Sequence, residues 1–273
     1  MSTARRIAEA LASRRVKAYG GNYLVCCPAH DDASPSLSIR DGKHGLVVCC
    51  FAGCDALDVL AALRKHGLLP PEPWKGPLGI WAEAINAHGT PVERYLAKRG
   101  LALPRGAEAL RFHPSCPFAG ETTPAMIALV RNIESNEPQA IHRTALDVSG
   151  AKITIHGKDK MALGPISGGA IKLTPDENVT IALGIAEGIE TALSLQQLAE
   201  WAGSPVWSLI SANGIRKFPP LNGIETLAIA ADHDTAGERA TIHVAGRWQE
   251  REILIFEARK DGADLNDIVR EAS

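Results

Sequence analysis

The chain has 273 residues, enough for two compact domains or three small ones, and 45% of them are hydrophobic, ample for packed cores. With a formal charge of −2, bulk electrostatics argues for no particular partner. There is no N-terminal apolar leader and no apolar run of membrane-spanning length, so the expected setting is soluble and cytoplasmic, with no membrane partner.

Charge and cysteine are unevenly spread. Residues 1–70 carry nine Lys/Arg against six acids, an excess that permits contact with nucleic acid. Five of the six cysteines fall between Cys26 and Cys54, and in a cytosolic chain such clustering reads as metal binding before disulfides. TARRIAEALASRR predicts a short amphipathic helix with Ile7, Ala8 and Leu11 on one face; its arginines suit either a solvated face or a DNA-facing arm. Then Cys27-Pro-Ala-His30 gives a C-x2-H pair, and Cys50-Phe-Ala-Gly-Cys54 a C-x3-C pair. Two such pairs joined by a loop make the closed tetrahedral donor set of structural zinc. SLSIR and LVVCC predict a hairpin turning at DGKHG. Neighbours on a strand face opposite ways, so one cysteine of each doublet faces the metal. Cys27 opens the first knuckle and Cys50 has the spacing to Cys54, which leaves Cys26 and Cys49 outside the set. DALDVLAALRKHGLL follows as a helix capped by Asp55, with Leu57, Leu60, Ala61 and Leu63 at helical spacing.

PPEPWKGP marks a domain boundary. IWAEAINAHGTPVERYLAKRGL predicts two short helices, the first with Trp81, Ala84 and Ile85 on one face, the second ending at a Gly cap. MIALVRNIESNEPQAIHRTALD predicts two strands around a polar turn. Arg143 and Lys160 are candidate phosphate-binding cations, one a bidentate fork and the other a point charge. The Gly-rich GPISGG is either a turn between strands or a phosphate-cradling nest, and His142 either a strand histidine or a nucleotide contact.

VTIALGIA, PVWSLISANG, ETLAIAAD and REILIFEA predict four buried strands alternating with helices at GIETALSLQQLAEWAG and TAGERATIHVAGRWQE. That alternation implies βαβ units in a compact parallel sheet. Glu187 follows the first strand; Asp232 and Asp234, two residues apart, follow the third. Carboxylates where parallel strands run out into turns stand where open α/β sheets bind ligands, and they supply hard oxygens for Mg2+. Asp264 and Asp267 in the terminal GADLNDIV either support that site or cap a helix.

CPAH…SPSLSI…VCCFAGCDALDVL resembles the Cys-His-Cys-Cys zinc ribbon of phage- and mobile-element-type DNA primases, with one extra residue in the second knuckle. AEGIETALS, ISANG and IAADHDTAG resemble, in order, the three blocks of the TOPRIM domain that primases share with topoisomerases. Where that family often has Asp four residues after its Glu, this chain has Thr191, with Glu190 beside it. The resemblance implies an α/β fold with a zinc ribbon at 1–69, a linker at 70–77, the N-terminal subdomain of a primase core at 78–178 and a TOPRIM sheet at 179–273. It implies a nucleotidyltransferase that makes short RNA primers on single-stranded DNA from ribonucleoside triphosphates. Structural zinc would sit on Cys27, His30, Cys50 and Cys54, and catalytic Mg2+ or Mn2+ on Glu187, Asp232 and Asp234. Arg143 and Lys160 match its nucleotide- and template-binding positions. The P-loop pattern G-x-x-x-x-G-K-[ST] does not occur, so the expected partner is a separate replicative helicase. The alternative is a non-catalytic zinc/TOPRIM mediator of recombination or replication that only binds DNA.

Overall fold

In a computed structural model of the chain, residues 2–12, 17–42, 45–69, 76–104, 108–231, 234–257 and 265–266 are described. The linker segment 70–75, the turn residues Lys43 and His44, and Asp232, Asp264 and Asp267 lie outside them. The chain divides into two compact units, Met1–Trp74 and Lys75–Ser273.

The first unit begins with α1 (Thr3–Leu11), whose N-cap Ser2 accepts from the Arg5 amide. Ala4, Ile7 and Ala8 are buried, so one face packs inward while Arg5 and Arg6 stay exposed. Four antiparallel strands follow in sequential order: β1 (Lys17–Tyr19), β2 (Asn22–Val25), β3 (Leu37–Gly42) and β4 (Gly45–Cys50). The expected hairpin is β3–β4, registered from Gly42 opposite Gly45 to Leu37 opposite Cys50. α2 (Ala56–Lys65) covers the ribbon with Val59 and Leu63 buried. Ala61 is exposed, contrary to the expected inner face, because the 3.6-residue period aligns Val59 with Leu63 and turns Ala61 outward.

The second unit stacks two sheets. α3 (Gly76–Glu83), β5 (Ile85–Asn86) and α4 (Pro91–Ala97) lead into an antiparallel sheet. Its path is β5, β6 (Leu110–Phe118), β7 (Glu121–Asn132), β8 (Pro138–Ala145) and β9 (Lys160–Leu163), with β10 (Gly169–Ala170) added on β7. Ile85 pairs with Phe112 in the sheet and is exposed, so it does not share a helix face with Trp81. One face of this sheet packs on α3 through Ile80, Cys116, Ile127 and Ile141. The other meets the parallel sheet through a core that includes Tyr95, Leu96, Met126, Val130, Ile189 and Leu193.

The parallel sheet has the order β12 (Val206–Ser208), β11 (Ala182–Ala186), β13 (Thr226–Ala231), β14 (Glu252–Glu257). α5 (Ile189–Leu195), packed against β11 and β12, is buried along its whole length. On the other side Leu183, Ile185 and Leu227 pack with residues of α6 (Ala212–Lys217) and α7 (Thr235–Arg247). There Phe218 stacks on Trp248 at 5.7 Å, with Trp207 edge-on at 6.4 Å. No described helix is long and apolar enough to cross a membrane.

Candidate functional site

In the first unit the ligand atoms of Cys27, His30, Cys50 and Cys54 all lie within 4.8 Å of one another. Tetrahedral zinc with Zn–S bonds of about 2.3 Å spaces its ligand atoms about 3.8 Å apart, so three thiols and an imidazole at this range fit zinc. Strand alternation sorts the doublets as expected. Val48 and Cys50 turn to the ribbon's packed side, while Val47 and Cys49 are exposed. His30 sets Nδ1 3.1 Å from Cys54 Sγ and Nε2 3.8 Å from an Asp32 carboxylate oxygen. Asp32 itself is the frame of the first knuckle: its Oδ2 accepts from the Cys27 amide at 2.7 Å and from Ser36 Oγ at 2.6 Å, and its Oδ1 from the Ser34 amide at 3.2 Å. These bonds hold its carboxyl below the usual carboxylate range. Sequence reading missed Asp32; its signal is an acid within five residues of a ligand, able to fix a histidine's orientation.

In the second unit the ends of β11 and β13 lie side by side, with Ala186 opposite Ala230. Glu187 is the next residue after β11, and its carbonyl accepts from Ser208 Oγ at 2.7 Å and the Ile210 amide at 2.9 Å. Ile210 has φ 71°, a left-handed conformation rare for a β-branched residue, at the wall of the site. Asp234 caps α7, its Oδ1 accepting from the amides of Ala236 at 2.9 Å and Gly237 at 2.7 Å. Asp232 is outside the described residues; the strand before it ends at Ala231. Exposed Asp234 and half-exposed Glu187 are hard oxygen donors on neighbouring strand ends, a donor set that suits Mg2+.

Beside Glu187 opens a cavity of about 280 Å³, walled by Arg99, His142, Lys160, Glu190 and Thr191. Lys152 also lines it and is paired with Asp159 at 2.6 Å. Lys160 comes from β9, where it lies opposite Thr144; His142, two residues before Thr144 on β8, shares that face. Its ammonium sits 2.9 Å from Glu190 Oε2, while the Tyr95 hydroxyl donates to Glu190 Oε1. Burial alone would raise the Glu190 carboxyl, but Lys160 and Tyr95 hold it down at about 2. The same Glu190 charge and burial push the Tyr95 hydroxyl far up. Burial, with Lys160 adding to it, lowers His142 to about 4, so its imidazole is neutral at pH 7. Arg99 lies over the Tyr95 ring at 5.1 Å. The Gly cap expected after α4 is Gly100 at φ 69°, directly after Arg99.

Asn266 reaches back to the same place. It is 1% exposed; its Nδ2 donates to the Arg99 carbonyl at 3.0 Å and Ser194 Oγ at 3.1 Å, and its Oδ1 accepts from Arg99 Nη1 at 3.2 Å. Sequence reading passed over both Arg99 and Asn266.

Arg143 does not line this cavity. One residue along β8 from His142, it points through the opposite face. There it donates to the Ala162 carbonyl at 3.1 Å and to the Pro117 carbonyl, over the Phe118 ring. A larger cavity of about 450 Å³ is lined by Trp81, Arg131, Lys172 and Asp176, but Lys172 and Asp176 are engaged with each other at 2.7 Å.

Sequence comparison matches residues 78–173 to a domain of unknown function (DUF7146) and residues 182–273 to the Toprim domain. No curated protein matches the chain. Among solved structures it is similar to the Aquifex aeolicus primase zinc-binding and RNA polymerase domains, at 13% identity over 98% of this chain and 81% of that one, TM-score 0.47. It is similar to the primase fragment of the bacteriophage T7 primase-helicase protein, at 14% identity over 88% of this chain and 91% of that one, TM-score 0.49. It is similar as well to the E. coli primase catalytic core, at 13% identity over 66% of this chain and 69% of that one, TM-score 0.45. This chain therefore joins a Cys-His-Cys-Cys zinc-binding group to a Toprim domain spanning residues 182–273.

Proposed function

We propose that the chain is a DNA primase that synthesises short RNA primers on single-stranded DNA. The observation that carries this reading is one chain holding both a Cys-His-Cys-Cys ribbon and a Toprim sheet, with strand-end carboxylates beside a cation-lined cavity. Its parts would be a zinc-ribbon DNA-binding domain at 1–69, a linker at 70–77 whose last two residues already open α3, a core subdomain at 78–178 and the Toprim domain at 179–273. In the reaction, the 3′-hydroxyl oxygen of one nucleotide bonds to the α-phosphorus of the next. The α–β phosphoanhydride then breaks, pyrophosphate leaves, and the hydroxyl proton passes to a base, a role open to Glu187, which lines the cavity. Glu187, Asp232 and Asp234 would hold Mg2+ or Mn2+, which supplies charge stabilisation to the phosphorane and leaving group. Lys160 and Arg99 would meet the triphosphate, while Arg143 braces the sheet behind them. In the first unit the exposed aromatics Phe51 and Tyr19 would stack template bases. A replicative helicase would be a separate partner.

The test is ribonucleotide incorporation on single-stranded template with Mg2+. Asp232→Asn is expected to abolish synthesis while single-strand binding survives. Full activity in that variant would remove the metal assignment, and binding with no incorporation by the native chain would point to a DNA-binding mediator.

A further inference from the structure

We propose that Glu190 is a positioning residue that holds Lys160 for a phosphate ligand, and is not one of the metal ligands of the strand-end site. The inference rests on reading the cavity beside Glu187 as a triphosphate site. Glu190 stands one residue before Thr191, where an acid would extend the metal set, so its role decides how the site is built.

Three observations separate it from a metal ligand. Both of its oxygens are occupied by the protein, Oε1 by the Tyr95 hydroxyl and Oε2 by the Lys160 ammonium at 2.9 Å. A divalent cation on either oxygen would stand against that ammonium, and against Arg99 on the same wall. The Glu190 side chain, though part of the cavity wall, is only 6% exposed, against 33% for Lys160. The partner, not Glu190, presents itself to a ligand.

The arrangement does for Lys160 what the residue cannot do alone. A lysine ammonium is a point charge on a flexible four-carbon stem, and ordering it costs rotamer entropy. Here the neighbouring cation Arg99 on the same wall would drive the ammonium outward. Glu190, pinned from α5 and from Tyr95 on α4, anchors it beside Glu187 before any ligand arrives. The incoming phosphate then meets a cation already in place.

The experiment uses the full zinc-loaded chain and its Glu190→Gln, Lys160→Ala and Tyr95→Phe variants. Primer synthesis is measured against nucleotide and against Mg2+, and equilibrium binding of inorganic triphosphate is measured without metal. Glu190→Gln is expected to raise the nucleotide KM and weaken triphosphate binding by about tenfold, with Mg2+ half-saturation unchanged. Tyr95→Phe, which keeps the ion pair, is expected to weaken binding by about two- to threefold and serves if Glu190→Gln does not fold. The double variant Lys160→Ala/Glu190→Gln is expected to bind no worse than Lys160→Ala alone, the mark of a residue acting through another. A shifted Mg2+ requirement at unchanged nucleotide KM, additive losses in the double variant, or no triphosphate binding by the native chain would each overturn the proposal. If the native chain binds triphosphate but makes no primer, the primase reading fails while the Lys160–Glu190 coupling is still decided by the binding arm.

Discussion

Replacing Asn266 by alanine should loosen the second unit from a point far along the chain. The side chain makes three hydrogen bonds in a place 1% exposed: two from Nδ2 to neutral acceptors and one accepted from the Arg99 guanidinium. At about 1 kcal/mol for each of the two neutral bonds and about 1.5 kcal/mol for the charged one, the loss comes to roughly 3.5 kcal/mol. For a unit of this size that lowers the melting temperature by roughly 7–14 °C. Trp201, Trp207 and Trp248 are all buried in the same unit, so fluorescence during urea or thermal unfolding reports it directly. Asn266→Asp sharpens the test. An aspartate keeps the guanidinium contact but sets an oxygen against the Arg99 carbonyl and against Ser194 Oγ, whose proton is already given to the Glu190 carbonyl. It should therefore be no better than alanine. A change below about 0.5 kcal/mol in Asn266→Ala, or an Asn266→Asp variant as stable as the native chain, would refute this account of the clasp.

Asp32→Ala removes the frame of the first zinc knuckle while leaving all four ligands; zinc affinity should fall about 10- to 100-fold in competition with a colorimetric chelator, and unchanged affinity would count against the role given to Asp32. His142 has a folded pKa of about 4, below its unfolded value near 6.5, so between those values the unfolded chain takes up a proton that the folded chain refuses. Stability is accordingly lost as pH falls through that window, by about 2 kcal/mol from pH 7 to pH 5 at this one site. His142→Gln should abolish that share of the shift in urea midpoint; a variant with the native pH dependence would show that the imidazole is not held neutral.

The zinc group was legible because two physical periods agree on it. Ligand spacing named the knuckles and chose Cys50; strand alternation required that only one cysteine of the doublet face the metal, and the structure shows that parity, with Val48 inward and Val47 outward. The parallel sheet was legible because its strands are short apolar runs ending in turn residues. The facing of Arg143 was not legible, for the converse reason. Strand β8 is buried on both faces, with Ile141 and Arg143 on one and Ala140 and His142 on the other, so no polar–apolar alternation says which way a residue points. Only the pairing of Thr144 with Lys160 settles it, and pairing is not written in one strand. Strand β6 escaped notice because Pro114 and Pro117 interrupt it. The structure takes Pro114 into a register shift between His113 and Cys116 and pairs Pro117 with Thr122, both past the last residue paired with β5, where a missing backbone N–H costs least. Asn266 looked like one polar residue in an acidic tail, since a contact across 167 positions leaves no local mark.

The Tyr95–Glu190 contact has a consequence for how the molecule is made. Its partners are 95 positions apart, whereas the four zinc-binding residues fall between 27 and 54. At about 5–20 residues per second of synthesis, Tyr95 waits on the order of 5–20 s for its acceptor to be translated. Once β7 has been made within that interval, the face of the antiparallel sheet carrying Met126, Ala128 and Val130 has no parallel sheet to cover it. The zinc ribbon has no such wait. Chaperone demand on the nascent chain should therefore concentrate between these two moments of synthesis and end when β11 and α5 arrive.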